Sequence, residues 1–170
     1  MGNKIVGREE LAAELARLRA AGKRAVFTNG CFDLLHAGHV RYLREASALG
    51  DLLVVGLNSD ASVRQFKDAS RPIVSEGDRA EVMAALEMVD YVVIFTEKTA
   101  ESILAELRPE VYVKGGDYTT ENLPEARVVE GYGGHVKLVP YHEDRSTTGI
   151  IQRILDAYCN ERPGTSDEPD

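Results

Sequence analysis

Residues 24–50 read RAVFTNGCFDLLHAGHVRYLREASALG, and the order of residue types within them sets the architecture. Residues 24–29 (RAVFTN) are short, apolar and partly β-branched or aromatic, as a buried strand is. Residues 39–49 instead space Val40, Leu43 and Ala46 helically and stop at Gly50. A glycine-bearing turn joins the two, so the carboxyl end of a strand opens onto the start of a helix. Residues 52–57 (LLVVGL) follow as a nearly unbroken apolar run, expected of a parallel strand covered on both faces.

The same alternation extends in both directions. Upstream, residues 8–21 put Leu11, Leu15 and Leu18 on one helical face, with Glu9 and Glu10 early and Gly22 past the end. Downstream, residues 60–75 are polar and read as a short helical turn and a loop. Residues 78–89 form an amphipathic helix through Val82, Met83, Leu86 and Val89, and 91–95 (YVVIF) a third strand. Thr99 caps a helix carrying Ile103, Leu104 and Leu107, ended by Pro109. Residues 111–114 are a fourth strand, Asn122 and Glu125 a capping box for a short helix, and 136–139 a fifth strand. Ile150, Ile151, Ile154, Leu155 and Tyr158 line a last helix. The expectation is an α/β chain: a Rossmann-like, doubly wound, five-stranded parallel sheet with helices on both faces. One domain is expected over 1–162, its core at 24–158, followed by a disordered acidic tail at 163–170.

The charge balance restricts partners. The 170 residues carry a net −8, and three of the acids lie in 163–170. Nucleic-acid binders carry the opposite sign, so none is expected as a partner. No run reaches the ~18 apolar residues a membrane span needs, and residues 1–8 hold no apolar leader. Cys31 and Cys159 cannot form a disulfide framework, so a cytoplasmic setting is expected.

Ligands of such a sheet gather beyond the carboxyl ends of the strands, and the motifs cluster there. In 28–39 (TNGCFDLLHAGH), Gly30 lets amides turn toward a ligand, and the helix start offers N–H groups to a phosphate. His36 and His39 share a face on the first turn and can donate to phosphate oxygens, while Gly38 lets the phosphate approach. A zinc site would want a third ligand; the remaining candidates, His135, His142 and Cys159, lie far off in sequence, and no second pair is spaced to help. In 114–118 (KGGDY), Gly115 and Gly116 admit something flat or charged, and Asp117 suits ribose hydroxyls or a base amino group. In 145–149 (RSTTG), hydroxyls and amides at a helix start can take the β- and γ-phosphates of a triphosphate. After the second strand come Asn58, Ser59 and Asp60, then Lys67 and Arg71, a cationic loop faced by Arg79. Cys31 has no adjacent base and orienting group, so it reads as a wall residue and not as a nucleophile.

Residues 32–39 (FDLLHAGH) and 146–148 (STT) resemble the two signatures of the cytidylyltransferase-like nucleotidyltransferases. Within that superfamily, 24–157 resembles the adenylyltransferase domain of bacterial ADP-heptose synthesis, through 28–33, 58–60, 85–90 and 113–118. The resemblance implies transfer of AMP from ATP to a sugar 1-phosphate. It assigns the nucleotide to Asn29, Gly30, Cys31, Phe32, His36, Gly38, His39, Gly115, Asp117, Arg145, Ser146, Thr147 and Thr148. It gives catalysis to His36, His39 and Lys67, and the second substrate to Asp33, Asp60, Lys67, Arg71 and Arg79. Mg²⁺ is implied as a passenger of the ATP phosphates, with no metal ligands from the protein. A homodimer and a separate sugar kinase are implied as partners, the kinase domain often fused ahead of this one being absent. Related glycerol-phosphate cytidylyltransferases carry an Arg five residues before the Ser-Thr-Thr. Here that position is Tyr141 and Arg145 directly precedes Ser146, which argues against a cytidylyl enzyme. The alternatives are a cytidylyltransferase acting on another phosphorylated alcohol, such as glycerol 3-phosphate, and a nucleotide-binding regulator without turnover.

Overall fold

A computed structural model of the chain describes residues 3–68, 70–116, 122–139 and 146–159. Asp117, Tyr141, Arg145 and the acidic tail lie outside the described residues. Five parallel strands, β1 (Ala25–Gly30), β2 (Leu52–Asn58), β3 (Tyr91–Phe95), β4 (Val111–Gly115) and β5 (His135–Val139), form one sheet ordered β3-β2-β1-β4-β5. The helices are α1 (Arg8–Ala20), α2 (Ala37–Ser47), α3 (Asp60–Val63), α4 (Glu76–Ala84), α5 (Glu101–Leu107), α6 (Pro124–Gly131) and α7 (Thr147–Cys159). This is the expected Rossmann-like α/β fold. The chain winds outward from β1 to β3, then crosses back to β4, so the strand order reverses between β1 and β4. A crevice opens at such a reversal.

Side-chain alternation along the strands sorts the core into two layers. Phe27, Val54, Phe95 and Tyr112 pack with Leu11 and Leu15 of α1, Ile103 and Leu104 of α5 and Ala126 and Val129 of α6. On the other face Val26, Val55, Leu57 and Val113 pack with Leu43 and Ala46 of α2 and Ala80 and Met83 of α4. Outside β3, Lys4 and Val6 exchange backbone hydrogen bonds with Val92, which covers that sheet edge.

Several boundaries differ from the pattern-based expectation, each for a local reason. Helix α4 starts earlier than expected because the Ser75 hydroxyl accepts the Asp78 amide as N-cap. It also ends at Ala84, with Ala85 as C-cap, five residues before Val89. The α5 cap is Ala100, not Thr99, whose hydroxyl donates to Glu101 at 2.9 Å. That helix ends in a left-handed Arg108 before Pro109 is reached. The capping box expected of Asn122 and Glu125 does not form: α6 begins after Leu123, with Pro124 in its first turn. No residue of α7 is buried, and Ile154, Leu155 and Tyr158 are exposed.

Candidate active site

At the β1–β4 reversal lies a cavity of about 620 Å³, lined by the carboxyl ends of β1, β2 and β4 and the starts of α2, α6 and α7. Its centre is the histidine pair. His36 is the extended N-cap of α2, and the amides of Ala37 and Gly38 precede the first helical hydrogen bond, from His39 N–H to the His36 carbonyl. The two imidazoles stack with centroids 3.9 Å apart and planes inclined by 22°. Phe32 meets His39 edge-on at 5.3 Å. Burial, and then the neighbouring His36, push the His39 pKa down to about 4, so His39 is neutral at physiological pH. Its Nδ1 is buried without a hydrogen-bond partner among the described residues. An unsatisfied buried ring nitrogen carries an unmet desolvation cost, which a ligand can relieve.

Phe32 rather than Gly30 takes the left-handed backbone of this loop, at φ 45°. Gly30 is needed for a different reason. A Cβ there would stand 3.1 Å from the Phe32 ring, so the glycine makes room for the side chain that shapes the pocket. Gly115 behaves alike: its Cβ would meet the Tyr42 ring at 2.9 Å. Tyr42 in turn ties β1 to β4, with its hydroxyl 2.6 Å from the Thr28 hydroxyl and donating to the Val113 carbonyl. Burial raises the Cys31 pKa, leaving a protonated thiol in the cavity wall and no thiolate nucleophile.

The residues expected to hold the second substrate divide. Lys67 and Arg71 line the cavity, and Lys67 has no ion pair or hydrogen bond from its side chain among the described residues. Asp33 lines it too, but its carboxylate is occupied. It accepts Arg71 Nε at 2.5 Å and the amides of Ile73 and Val74 at 2.9 Å each. Burial works to raise its pKa, yet those amides and the guanidinium outweigh it and hold the carboxyl below its ordinary range. Arg79 and Asp60 do not line the cavity. Arg79 is 1% exposed and donates to the carbonyls of Cys31, Val74 and Asn58 and to the Asp60 carboxylate at 2.8 Å. It is a four-way clamp beneath the site. Their charges are spent on each other and on the loops after β1 and β2.

At the mouth, Ser146, Thr147 and Thr148 line the cavity at the start of α7. Ser146 Oγ accepts the Gly149 amide at 3.0 Å, as an N-cap does, and Thr147 Oγ1 lies 3.5 Å from the Leu34 carbonyl. Two starting helices therefore face one space. Pattern reading missed a further wall on the opposite face of the sheet, made by Lys114, Leu123 and Glu125. Alternation along β1 and β4 marks Asn29 and Lys114 as its strand residues. Glu125 carried no such signal, since its spacing from Asn122 matched a cap.

A family model described as cytidylyltransferase-like matches residues 27–162. The chain belongs to the cytidylyltransferase-like family. It is 56% identical over 156 residues to the bifunctional protein HldE of Syntrophotalea carbinolica, a match covering 92% of this chain and 32% of that protein. With the HldE of Geobacter sulfurreducens it shares 53% over 158 residues, 93% of this chain and 32% of that protein. The chain thus spans about a third of the length of the curated relatives it matches. A crystal structure of the lipopolysaccharide core biosynthesis protein from Thermoplasma volcanium superposes with a TM-score of 0.59 at 30% identity, covering 71% of this chain and 97% of that one. In this cytidylyltransferase-like chain, the matched region contains the histidine pair, the clamp and the α7 start. No helix among the described residues is long and apolar enough to cross a membrane.

Proposed function

We propose that this chain is a nucleotidyltransferase, moving AMP from ATP to D-glycero-β-D-manno-heptose 1-phosphate and releasing ADP-heptose and pyrophosphate. One observation carries the reading. A stacked, half-buried imidazole pair at one helix start lines the same cavity as a second helix start bearing three hydroxyl side chains. Both ends bring positive dipole and donors to one space, the arrangement an extended polyphosphate needs. The similarity to HldE supports the sugar and the nucleotide.

The sugar phosphate attacks the α-phosphorus of ATP in line; a bond from its oxygen to phosphorus forms as the bond to the pyrophosphate oxygen breaks. A phosphate monoester is already nucleophilic, so the site needs no strong base. Its work is positioning and stabilising charge on the α-phosphate and the leaving group. His36 and His39 serve the former, and Ser146, Thr147 and Thr148 the latter. Lys67 meets an incoming or departing phosphate group. Cys31 and Phe32 contribute backbone contacts, while Asp117 and Arg145 are assigned to the nucleotide by resemblance alone. Mg²⁺, when bound, neutralises phosphate charge. A sugar kinase acting earlier, a second copy of this chain and a cytoplasmic setting complete the proposal.

The test is a pyrophosphate-release screen of heptose 1-phosphate against ATP, CTP, GTP and UTP. Release with ATP well above the others is expected. Release only with CTP and glycerol 3-phosphate, or nucleotide binding without release, would replace this reading.

A further inference from the structure

The cavity straddles the sheet edge, and its two halves differ in chemistry. On the α2 side stand the histidines and Ser146–Thr148. On the α5–α6 side stand Asn29, Lys114, Thr99 and Glu125, beside Leu123 and Pro124. Glu125 is 5% exposed, and its hydrogen bond among the described residues is a long one, from the Ala100 amide at 3.4 Å. A carboxylate that buried normally has several short donors. Asn29 is the complement. Its Oδ1 receives the Tyr112 hydroxyl at 2.8 Å and Lys114 Nζ at 3.4 Å, which fixes the amide and leaves its NH₂ group as a donor for the cavity. Burial lowers the Lys114 pKa, and the neighbouring Glu125 carboxylate opposes that shift.

A carboxylate repels phosphate, whereas a hydroxyl can donate to Glu125 and accept from Asn29 at once. In-line transfer fixes which hydroxyls these are. With the α-phosphate at the histidines and the departing pyrophosphate toward the α7 start, the attacking group arrives from the opposite side of the α-phosphorus, where the α5–α6 wall offers these groups. We infer that Glu125, with the Asn29 amide group, is the seat of the sugar hydroxyls of the acceptor and sets its specificity for a polyol. This rests on the nucleotidyl-transfer reading above and adds a residue that reading did not contain.

The experiment compares wild type with Glu125→Gln in pyrophosphate release, varying ATP and heptose 1-phosphate separately. The acceptor KM is expected to rise about tenfold or more, with the ATP KM within about twofold. A role confined to bridging α5 and α6 would lower Tm and leave that split absent. An unchanged acceptor KM, or a rise in the ATP KM instead, overturns the assignment. Should Glu125→Gln fail to fold, the wild-type enzyme serves with a deoxy-sugar 1-phosphate. A site built on hydroxyl contacts rejects it by at least ~100-fold in kcat/KM, and equal kcat/KM for both acceptors overturns the inference. The two failures are distinguishable: a wild type inert toward every sugar 1-phosphate removes the proposed function and this seat with it. An active wild type matched by Glu125→Gln removes the seat alone.

Discussion

The floor of the cavity and its lining use the same kinds of side chain to opposite ends. Beneath the cavity the charges are answered from within, Arg79 reaching three carbonyls and Asp60, and on the wall itself Asp33 likewise holds Arg71 and two amides. Elsewhere in the lining, among the described residues, the answers are missing, at His39 Nδ1 and at the Lys67 ammonium, or weak, at Glu125. Buried polar groups are costly when unpaired, and His39 Nδ1 is one that an arriving ligand can pair. Satisfaction, more than residue type, separates scaffold from site.

Substitutions should therefore fall into two classes. The largest effect is expected in the floor: Arg79→Met leaves Asp60 and three carbonyls unpaired and should cost about 3–5 kcal/mol. Thermal unfolding would register this as a fall in Tm of about 10 °C. A variant with unchanged Tm and altered substrate KM would move Arg79 into the lining. Next, His39→Ala should lower kcat/KM at least ~100-fold, about 2.7 kcal/mol, with Tm nearly preserved. Turnover near wild type would remove His39 from the chemistry.

A third prediction uses the proton. The His39 pKa is about 4 in the folded chain against the ordinary value of 6.5, so between these pH values the unfolded chain binds more protons. Stability contributed by the neutral ring is present above about pH 6.5 and is lost as pH falls toward 4. Paired denaturant titrations of wild type and His39→Gln should show wild type losing an extra ~1–3 kcal/mol across that window. Asp33, whose own shift acts at lower pH, is common to both and cancels. Parallel curves would mean the ring is solvated in the folded chain. The smallest effect is expected at Lys67→Ala, a rise of about tenfold in the sugar-phosphate KM with folding intact, because one exposed cation is removed. Unchanged kinetics would make Lys67 an ordinary surface residue.

The fold was legible because its signals are periodic. Apolar runs at 52–57 and 91–95 alternate with helical spacing, and a glycine-punctuated turn after residue 29 marks the crevice. The histidine pair was legible for the same reason: spacing by three on a first helical turn brings two rings together. Arg79 and Asp60 were visible as charges but not as partners, since their pairing spans 19 positions and depends on how two loops fold back. Glu125 matched a local capping pattern and was absorbed by it, although the tertiary structure turns it toward α5 and the cavity. The left-handed Phe32 was illegible because glycine is the usual occupant of that conformation, and a glycine stood two residues away.

The stretch after Arg71 runs without regular structure until α4 begins at Glu76. Its amides at Ile73 and Val74 nonetheless end on the Asp33 carboxylate, and its Val74 carbonyl ends on Arg79. Those amide protons should exchange with solvent on the timescale of strand amides, not of a surface loop. A ligand entering the cavity meets Asp33 and Arg71 already set by this stretch, and the entropy of ordering them was lost at folding and not at binding.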